Sequence, residues 1–151
     1  MENSLNNMKK LLLLLLLILI GCSEPKPIDI DTLNFRNDTY YPINSDEPYS
    51  GLVFDLYENG QIEMEGTLKD GKLNGPVKSY YKNGQLETEG PFKDGNQNGS
   101  FKIYYGNGQL KMEGTFKDGE WDGLIKEYNK NGQIIKETTW KDDELINSKE
   151  Y

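Results

Sequence analysis

Residues 80–99 have the sequence Tyr-Tyr-Lys-Asn-Gly-Gln-Leu-Glu-Thr-Glu-Gly-Pro-Phe-Lys-Asp-Gly-Asn-Gln-Asn-Gly, and this pattern recurs along the chain every 24 residues. Asn-Gly appears at that spacing at 59–60, 83–84, 107–108 and 131–132. Lys-Asp-Gly recurs at 69–71, 93–95 and 117–119, and it becomes Lys-Asp-Asp at 141–143. A fixed period of this length is typical of repeat proteins, in which each unit buries its apolar face against its neighbours.

The two dipeptides of each unit that end in glycine are turn signals. Asn-Gly and Asp-Gly are preferred at the centre of two-residue type I′ hairpin turns, because both central positions need a positive φ. A turn at each of them divides every 24-residue unit into two strands. The sequence therefore predicts an all-β fold: an elongated antiparallel meander of β-hairpin repeats that forms an open, coiled sheet.

Two-residue turns at these positions also fix which residues lie opposite each other. The predicted pairs on one face are Tyr81–Leu86, Ser79–Thr88, Val77–Gly90, Phe92–Gln97 and Gly90–Gly99. The same register predicts charge pairs on the opposite face, namely Lys78–Glu89, Lys102–Glu113 and Lys126–Glu137. Opposite charges directly across a sheet are mildly stabilising, so their alignment supports the register.

Because side chains alternate between the faces of a strand, the aromatic residues of successive units are predicted to share one face. The candidate partner-binding residues belong to this stripe, and they are Tyr57, Tyr81, Phe92, Tyr105, Phe116 and Trp121. Two interpretations are open. Either the stripe covers the sheet as its core, or it lines a groove that binds an extended peptide or stacks on sugar rings.

The composition excludes several classes of enzyme and binding protein. The chain has 151 residues, no histidine, one cysteine and a formal net charge of −8. Without histidine, Ser-His-Asp and Cys-His catalysis and histidine metal sites are excluded. One cysteine excludes an intrachain disulfide framework, and the acidic balance argues against nucleic-acid binding. We therefore expect no enzyme activity, no catalytic residues and no cofactor.

Two sets of carboxylates could be mistaken for functional sites. A calcium interpretation applies to one aspartate of each unit, at Asp70, Asp94, Asp118 and Asp142. Calcium needs roughly six or more converging oxygens, whereas a single aspartate in a turn is the ordinary turn residue. The glutamates at 63, 65, 87 and 89 are predicted to lie on a solvated face with lysines opposite. We therefore predict no metal site.

Residues 1–21 resemble the signal peptide of a bacterial lipoprotein. Lys9 and Lys10 precede ten aliphatic residues at 11–20, and Gly21 and Cys22 follow. The run is too short to span a membrane, which takes roughly 20 residues, but it has the length of a signal-peptide apolar region. Residues 19–22, Leu-Ile-Gly-Cys, are similar to a lipobox. This resemblance implies cleavage before Cys22 and attachment of fatty acids such as palmitate to it. The protein would then be lipid-anchored in the bacterial cell envelope, at the outer membrane or cell surface.

Two short segments are predicted between the anchor and the repeats. Residues 22–32 contain scattered prolines and charges, which predict a lipidated cysteine and an extended tether. An edge strand from Ile28 onwards is the alternative. Residues 33–50 break the period and are predicted to cap the repeats, which occupy residues 51–151. In the degenerate last unit Glu127 and Lys136 replace an apolar pair, as expected for a solvated end.

The unit at residues 80–99 resembles the variant MORN repeat of bacterial proteins. The resemblance extends over residues 49–145 and includes the tyrosine pair, the Asn-Gly-Gln turn and the Lys-Asp-Gly turn. Many members carry an antitoxin-like label from toxin–antitoxin systems, so the resemblance implies binding modules rather than enzymes. The fourth unit departs from the pattern at Asn129, Thr138 and Asp143.

Taken together, these patterns predict a non-catalytic, membrane-anchored lipoprotein that binds an unidentified protein partner. An antitoxin-like or immunity role is one form of this hypothesis. The alternative hypothesis is a lipoprotein that binds cell-wall carbohydrate or peptidoglycan through the same aromatic residues.

Overall fold

The computed structural model describes residues 26–151, which form an all-β structure. The strands in chain order are β1 (Ile28–Asp29), β2 (Leu33–Arg36), β3 (Thr39–Pro42), β4 (Gly51–Leu56), β5 (Ile62–Lys69), β6 (Lys72–Leu73), β7 (Gly75–Tyr80), β8 (Leu86–Lys93), β9 (Asn96–Gln97), β10 (Gly99–Tyr104), β11 (Leu110–Lys117), β12 (Glu120–Trp121), β13 (Gly123–Tyr128), β14 (Ile134–Lys141) and β15 (Glu144–Glu150). A single turn of 3-10 helix, Ile30–Thr32, follows β1, and this range contains no α-helix.

Thirteen strands form one sheet, whose main path is β1-β4-β5-β7-β8-β10-β11-β13-β14-β15. The short strands β6, β9 and β12 extend the hairpins of β5, β8 and β11. Every pair is antiparallel except β1 with β4. The predicted all-β meander of 24-residue hairpins is thus confirmed. We number its repeats from each leading glycine: repeat 1 is residues 51–74, repeat 2 is 75–98, repeat 3 is 99–122 and repeat 4 is 123–146.

The Asp-Gly turns are the predicted two-residue type I′ turns. In the first of them Asp70 and Gly71 have φ values of 51° and 76°. The flanking residues pair directly, so Phe92 lies opposite Gln97, as predicted. Aspartate tolerates a positive φ better than most residues with a side chain, which suits it to the first central position.

The Asn-Gly turns differ from the prediction. The Tyr81 amide donates to the Gln85 carbonyl at 2.8 Å, so the loop holds three residues rather than two. Gly84 has a φ of 81° but Asn83 does not have a positive φ, which makes this a type I turn followed by a glycine bulge. The Asn83 side-chain oxygen accepts a hydrogen bond of 3.0 Å from the Gln85 amide, and this bond stabilises the loop.

The longer loop moves the register by one residue near the turn. The predicted pair of Tyr81 with Leu86 is therefore wrong, because Leu86 lies opposite Tyr80. A β-bulge between Ser79 and Tyr80 then restores the predicted register. Beyond this bulge the predicted pairs are confirmed, namely Ser79–Thr88, Val77–Gly90, Lys78–Glu89, Lys102–Glu113 and Lys126–Glu137.

The predicted glycine pairs, such as Gly90 with Gly99, are wrong. The chain leaves its extended path at Gly99, where φ is 120°, and the register between β8 and β10 moves by two residues. Gly90 consequently lies beside Phe101, whose Cβ would be 3.1 Å from a Cβ built on the glycine. Each mid-strand glycine thus faces a large side chain of the neighbouring strand.

The last part of the segment predicted as a tether at residues 22–32 forms a short strand, Ile28–Asp29, and a turn of 3-10 helix, Ile30–Thr32. Ile28 pairs in parallel with Val53, and Ile30 is buried against Val53 and Leu68. Both isoleucines contact apolar residues of repeat 1. The alternative prediction, an edge strand from Ile28 onwards, therefore fits residues 28 and 29. The β2–β3 hairpin then continues the edge of the array, because the Tyr40 amide donates to the Gly71 carbonyl at 2.9 Å.

Residues 1–21 and Cys22 lie outside the described residues, so the predicted signal peptide and lipidation site remain predictions. Within residues 26–151, no helix has the length and apolar character needed to cross a membrane.

The last strand, β15, pairs with β14 in a register that differs by one residue from that of the earlier repeats. In repeat 3 Glu113 lies opposite Lys126, and the residue 24 positions after Lys126 is Glu150. A bulge near Trp140 moves β15 so that Lys149, not Glu150, lies opposite Glu137. This register avoids a glutamate pair and places polar Ser148 opposite Thr138.

Candidate interaction surface

One face of the sheet carries a cluster of aromatic rings, and we call it the aromatic face. Its centre is Phe101, whose ring centroid lies 4.8 Å from that of Phe116 and 5.1 Å from that of Trp121. Phe116 and Trp121 are 4.5 Å apart, and Trp121 is 6.3 Å from Trp140. These separations are typical of favourable ring contacts, so repeats 3 and 4 share one aromatic surface.

Mid-strand glycines make room for this cluster. A Cβ built on Gly114 would lie 2.8 Å from Ile125 Cγ1 and 3.0 Å from Phe101 Cε1. Glycine is therefore required at this position for lack of space rather than for its backbone angle. The rings can lie against the main chain of the next strand, which is the close approach that glycine permits within a sheet.

The aromatic face is covered at one end and open at the other. In repeat 1, Val53 and Leu68 are 1% exposed because Ile30, together with Leu33 and Tyr40 of the N-terminal cap, packs over them. In repeat 3, Phe101 is buried, whereas Phe116 and Trp121 remain half-buried. The open part of the face therefore carries large aromatic side chains that are accessible to a partner.

The predicted binding residues divide into two groups. Phe116 and Trp121 belong to the ring cluster, and Phe92 occupies the position equivalent to Phe116 one repeat earlier. The tyrosines of the stripe form a separate column, in which each hydroxyl donates to a backbone carbonyl one repeat ahead. These bonds are Tyr57 to Tyr80 at 2.6 Å, Tyr81 to Tyr104 at 2.6 Å and Tyr105 to Tyr128 at 2.7 Å.

This tyrosine column has a clear structural role, because its hydroxyl groups are used within the fold. Desolvation, together with the nearby glutamates, raises the pKa of Tyr57 and of Tyr81 above the usual value. Lysine ammonium groups lie over some rings, with Lys82 Nζ 5.5 Å from the Tyr57 centroid and Lys130 Nζ 5.9 Å from that of Tyr105. These contacts cover the rings partly and leave their edges half-exposed.

The opposite surface, which we call the ladder face, carries alternating charges across the strands. The row runs from Glu65 through Lys78, Glu89, Lys102, Glu113, Lys126 and Glu137 to Lys149. A tyrosine further along the chain donates to each of the four glutamates. These bonds are Tyr80 to Glu65 at 2.6 Å, Tyr104 to Glu89 at 2.7 Å, Tyr128 to Glu113 at 2.8 Å and Tyr151 to Glu137 at 2.5 Å.

Burial and the hydrogen bonds to these glutamates raise the pKa of Tyr80, Tyr104 and Tyr128 to about 12. Each phenol is held neutral as a donor to a carboxylate. These hydrogen bonds on the ladder face thus join each repeat to the previous one.

Sequence reasoning missed Trp140 as a member of the candidate surface. Trp140 lies 24 residues after Phe116 and 48 after Phe92, so the period placed it in the same column. That signal was available, although the degenerate last unit obscured it. The period could not show the contact between Trp121 and Trp140, because β12 and β14, which carry these residues, are not paired strands.

Acidic residues of the described range do not assemble into a convincing metal site. Asp70, Asp94 and Asp118 are turn residues with φ near 51°. The carboxylates of Asp29, Asp31 and Asp55 lie within 4.8 Å of one another at the N-terminal edge. The Asp29 carboxylate accepts a hydrogen bond from the Asp31 amide, and the Asp55 carboxylate accepts one from the Leu56 amide. Local backbone hydrogen bonds thus explain the positions of two of the three carboxylates. We assign no metal to this cluster.

The fold and the two faces define an open array of stacked β-hairpins, a class of repeat protein built to present an extended surface. The chain belongs to the MORN repeat variant family, whose pattern matches residues 49–70, 73–94, 97–118 and 121–142. These four matches cover more than half of the chain. No curated protein matches the chain significantly. Repeats of this family are generally protein- or membrane-interaction modules and are typically non-catalytic.

Proposed function

We propose that this protein is a non-catalytic lipoprotein, anchored through Cys22 in the bacterial cell envelope, that binds another protein through its aromatic face. The observation that carries the proposal is the half-exposed cluster of Phe116, Trp121 and Trp140 at the uncapped end of that face. Aromatic side chains are enriched at the energetic centres of protein interfaces, where their rings bury a large area.

Internal comparison of the repeats supports a recognition role for this surface. Ladder-face glutamates recur unchanged as Glu65, Glu89, Glu113 and Glu137. On the aromatic face the equivalent positions change from Leu68 to Phe92, Phe116 and Trp140 and from Leu73 to Gln97, Trp121 and Leu145. A constant frame with a variable, exposed aromatic surface suits a protein that recognises one partner rather than one that only has to fold.

The finer forms of the proposal concern the identity of the partner. An antitoxin-like or immunity factor would bind a toxin, and an envelope scaffold would bind another envelope protein. A toxin-like reading frame beside the gene would favour the first form. Half-exposed Trp121 and Phe116 are also suited to stacking on sugar rings, which keeps a cell-wall carbohydrate ligand as the second candidate function.

The first experiment uses Trp121→Gln, because Gln97 occupies the equivalent position in repeat 2 and shows that the fold accepts glutamine there. We expect a capture assay from envelope extract to lose its specific partner with this variant. Lys102→Gln, on the ladder face, is the matched control and should keep the partner.

Identical capture profiles for the wild-type protein and Trp121→Gln would contradict the proposal. Sedimentation with purified cell wall separates the two candidate functions. If wild-type protein sediments and Trp121→Gln does not, the ligand is a wall polymer rather than a protein.

A further inference from the structure

Repeat 1 departs from the other repeats on the ladder face. The strand that begins each later repeat carries a lysine and a tyrosine there, at Lys78 and Tyr80 in repeat 2. Repeat 1 has Phe54 and Leu56 at the equivalent positions, so its part of the ladder face is apolar. The aromatic face of repeat 1 is already packed against the N-terminal cap, so the core does not need these residues on the other side.

These residues form the wall of an open groove of about 440 Å³, which we call the apolar groove. It is lined mainly by Leu52, Phe54, Leu56, Ile62 and Pro76. Leu52, Leu56 and Ile62 are 40%, 39% and 44% exposed. Several large apolar side chains exposed side by side are unfavourable in water, and such patches mark sites that contact another apolar surface.

The groove lies where the chain enters the domain. Pro27 also lines it, and Pro27 follows Cys22 by only five positions in the sequence. A fully extended stretch of that length reaches about 18 Å at most. A lipid on Cys22 would therefore hold the groove within that distance of the bilayer.

We infer that the apolar groove of repeat 1 docks on the membrane surface in which the lipid of Cys22 is inserted. This inference rests on the proposed lipid anchor and adds an orientation to it. A short tether makes the second contact effectively intramolecular, so that even a small apolar patch is sufficient for docking. Side chains such as Leu56 would enter the boundary between headgroups and acyl chains, as in other proteins that lie on a membrane.

The charge distribution around the groove is compatible with docking on a membrane surface. Phe54 stands where the ladder would otherwise place a lysine, so no charge needs to be desolvated at the centre of the patch. The charged residues that line the groove are Glu65 and Lys78, whose Oε1 and Nζ atoms are 4.0 Å apart and offset each other. Because the two faces of a sheet point in opposite directions, docking through the ladder face would leave the aromatic face turned away from the membrane.

The test uses the full-length chain, produced with its N-terminal residues in a bacterial host and reconstituted in vesicles of phosphatidylethanolamine and phosphatidylglycerol. A nitroxide label is placed with Leu52→Cys in one sample and Leu124→Cys in the other. Both leucines occupy the same repeat position on the ladder face, and they are 40% and 47% exposed. Collision rates with oxygen, which enters bilayers, and with a water-soluble nickel complex then report the depth of each label.

We expect the ratio of oxygen to nickel collisions to be several-fold higher for the label at position 52 than for the label at position 124. Equal, water-like ratios on membrane-bound protein would overturn the docking inference and leave the anchor intact. Dipolar broadening between labels at position 52 would also overturn it, because a second copy of the chain would then fill the groove. Labelling of Cys22 in the unsubstituted chain would show that no lipid is attached and would overturn the anchor together with the docking. Thermal unfolding of both variants checks that the labelled chains remain folded.

Discussion

The aromatic face and the ladder face are built from alternate residues of the same strands, yet different interactions maintain them. On the aromatic face, large rings fit beside glycines, as Phe101 does beside Gly90 and Gly114. On the ladder face, each glutamate accepts a hydrogen bond from a tyrosine and lies opposite a lysine, as Glu89 does with Tyr104 and Lys102. The aromatic face is stabilised by the fit of side-chain volumes, and the ladder face by hydrogen bonds and opposite charges. Across repeats 2 to 4, packing by volume leaves the side chain free to vary, as at Phe92, Phe116 and Trp140, whereas the polar residues of the ladder stay the same.

The largest effect is expected from filling the space on the aromatic face. Gly114→Val would place its Cβ 2.8 Å from Ile125 Cγ1, so strands or rings must move apart. Overpacking of this kind costs typically up to ~3 kcal/mol. We expect the free energy of unfolding in urea to fall by about that amount, with loss of the near-ultraviolet signal from Trp121.

A matched glycine substitution separates crowding from backbone strain. Gly84 has a φ of 81° and open space around it, so Gly84→Val should cost only the ~1–2 kcal/mol of the left-handed conformation. Gln85→Val, one residue later, should cost less than either variant. If Gly114→Val were no worse than Gly84→Val, the aromatic face would be loosely packed and the contrast between the two faces would be wrong.

On the ladder face, the next largest effect is expected from removing a tyrosine hydroxyl. Tyr104→Phe loses a hydrogen bond of 2.7 Å to Glu89. Hydrogen bonds to charged groups contribute more than neutral ones, so we expect a loss of about 1.5 kcal/mol for this part-buried pair. Urea unfolding near neutral pH measures the difference.

The same tyrosines predict a dependence on alkaline pH. The pKa of Tyr80, Tyr104 and Tyr128 is about 12 in the fold, against 10.0 for an ordinary tyrosine. Folding thus favours the neutral phenol, and this contribution is complete below about pH 10 and is lost as the pH rises towards 12. A triple Phe variant at these positions should be less stable at pH 8 and should lose less further stability up to pH 11 than the wild-type protein, because only Tyr57 and Tyr81 of the tyrosines with a raised pKa remain. A wild-type protein of constant stability between pH 9 and 11 would contradict the bond to the glutamates.

The smallest effect is expected from reversing one charge of the ladder. Lys102→Glu would place three carboxylates in a row with Glu89 and Glu113. Each cross-strand pair is worth roughly 0.2–1 kcal/mol, so the melting temperature should fall slightly. Because added salt screens exposed charges, the difference should shrink in 1 M sodium chloride if it is electrostatic. A deficit that salt does not change would point to lost packing of the lysine stem instead.

The period predicted the fold, the charge ladder and the Asp-Gly turns, because each depends on residues that are close in sequence. It failed at the Asn-Gly turn, where the Asn83 side chain stabilises a three-residue loop, although the following bulge restored the register. The period also failed at Gly99, where the register between β8 and β10 shifts by two residues. The alternation of side chains along a strand gives no sign of such a shift. The division of the candidate site between a ring cluster and a hydrogen-bonded tyrosine column depends on side-chain contacts, such as the bond from Tyr81 to the Tyr104 carbonyl, which sequence spacing does not show.

The bonds between neighbouring repeats run in both directions along the chain: Tyr57 donates forward to the Tyr80 carbonyl, and Tyr80 donates back to Glu65. Deletion or duplication of repeat 2 or of repeat 3 therefore leaves each of these donors with an acceptor of the same kind. The array can therefore gain or lose repeats in evolution while its two ends stay the same. Each repeat changes its length by about 10 Å, the width of two strands.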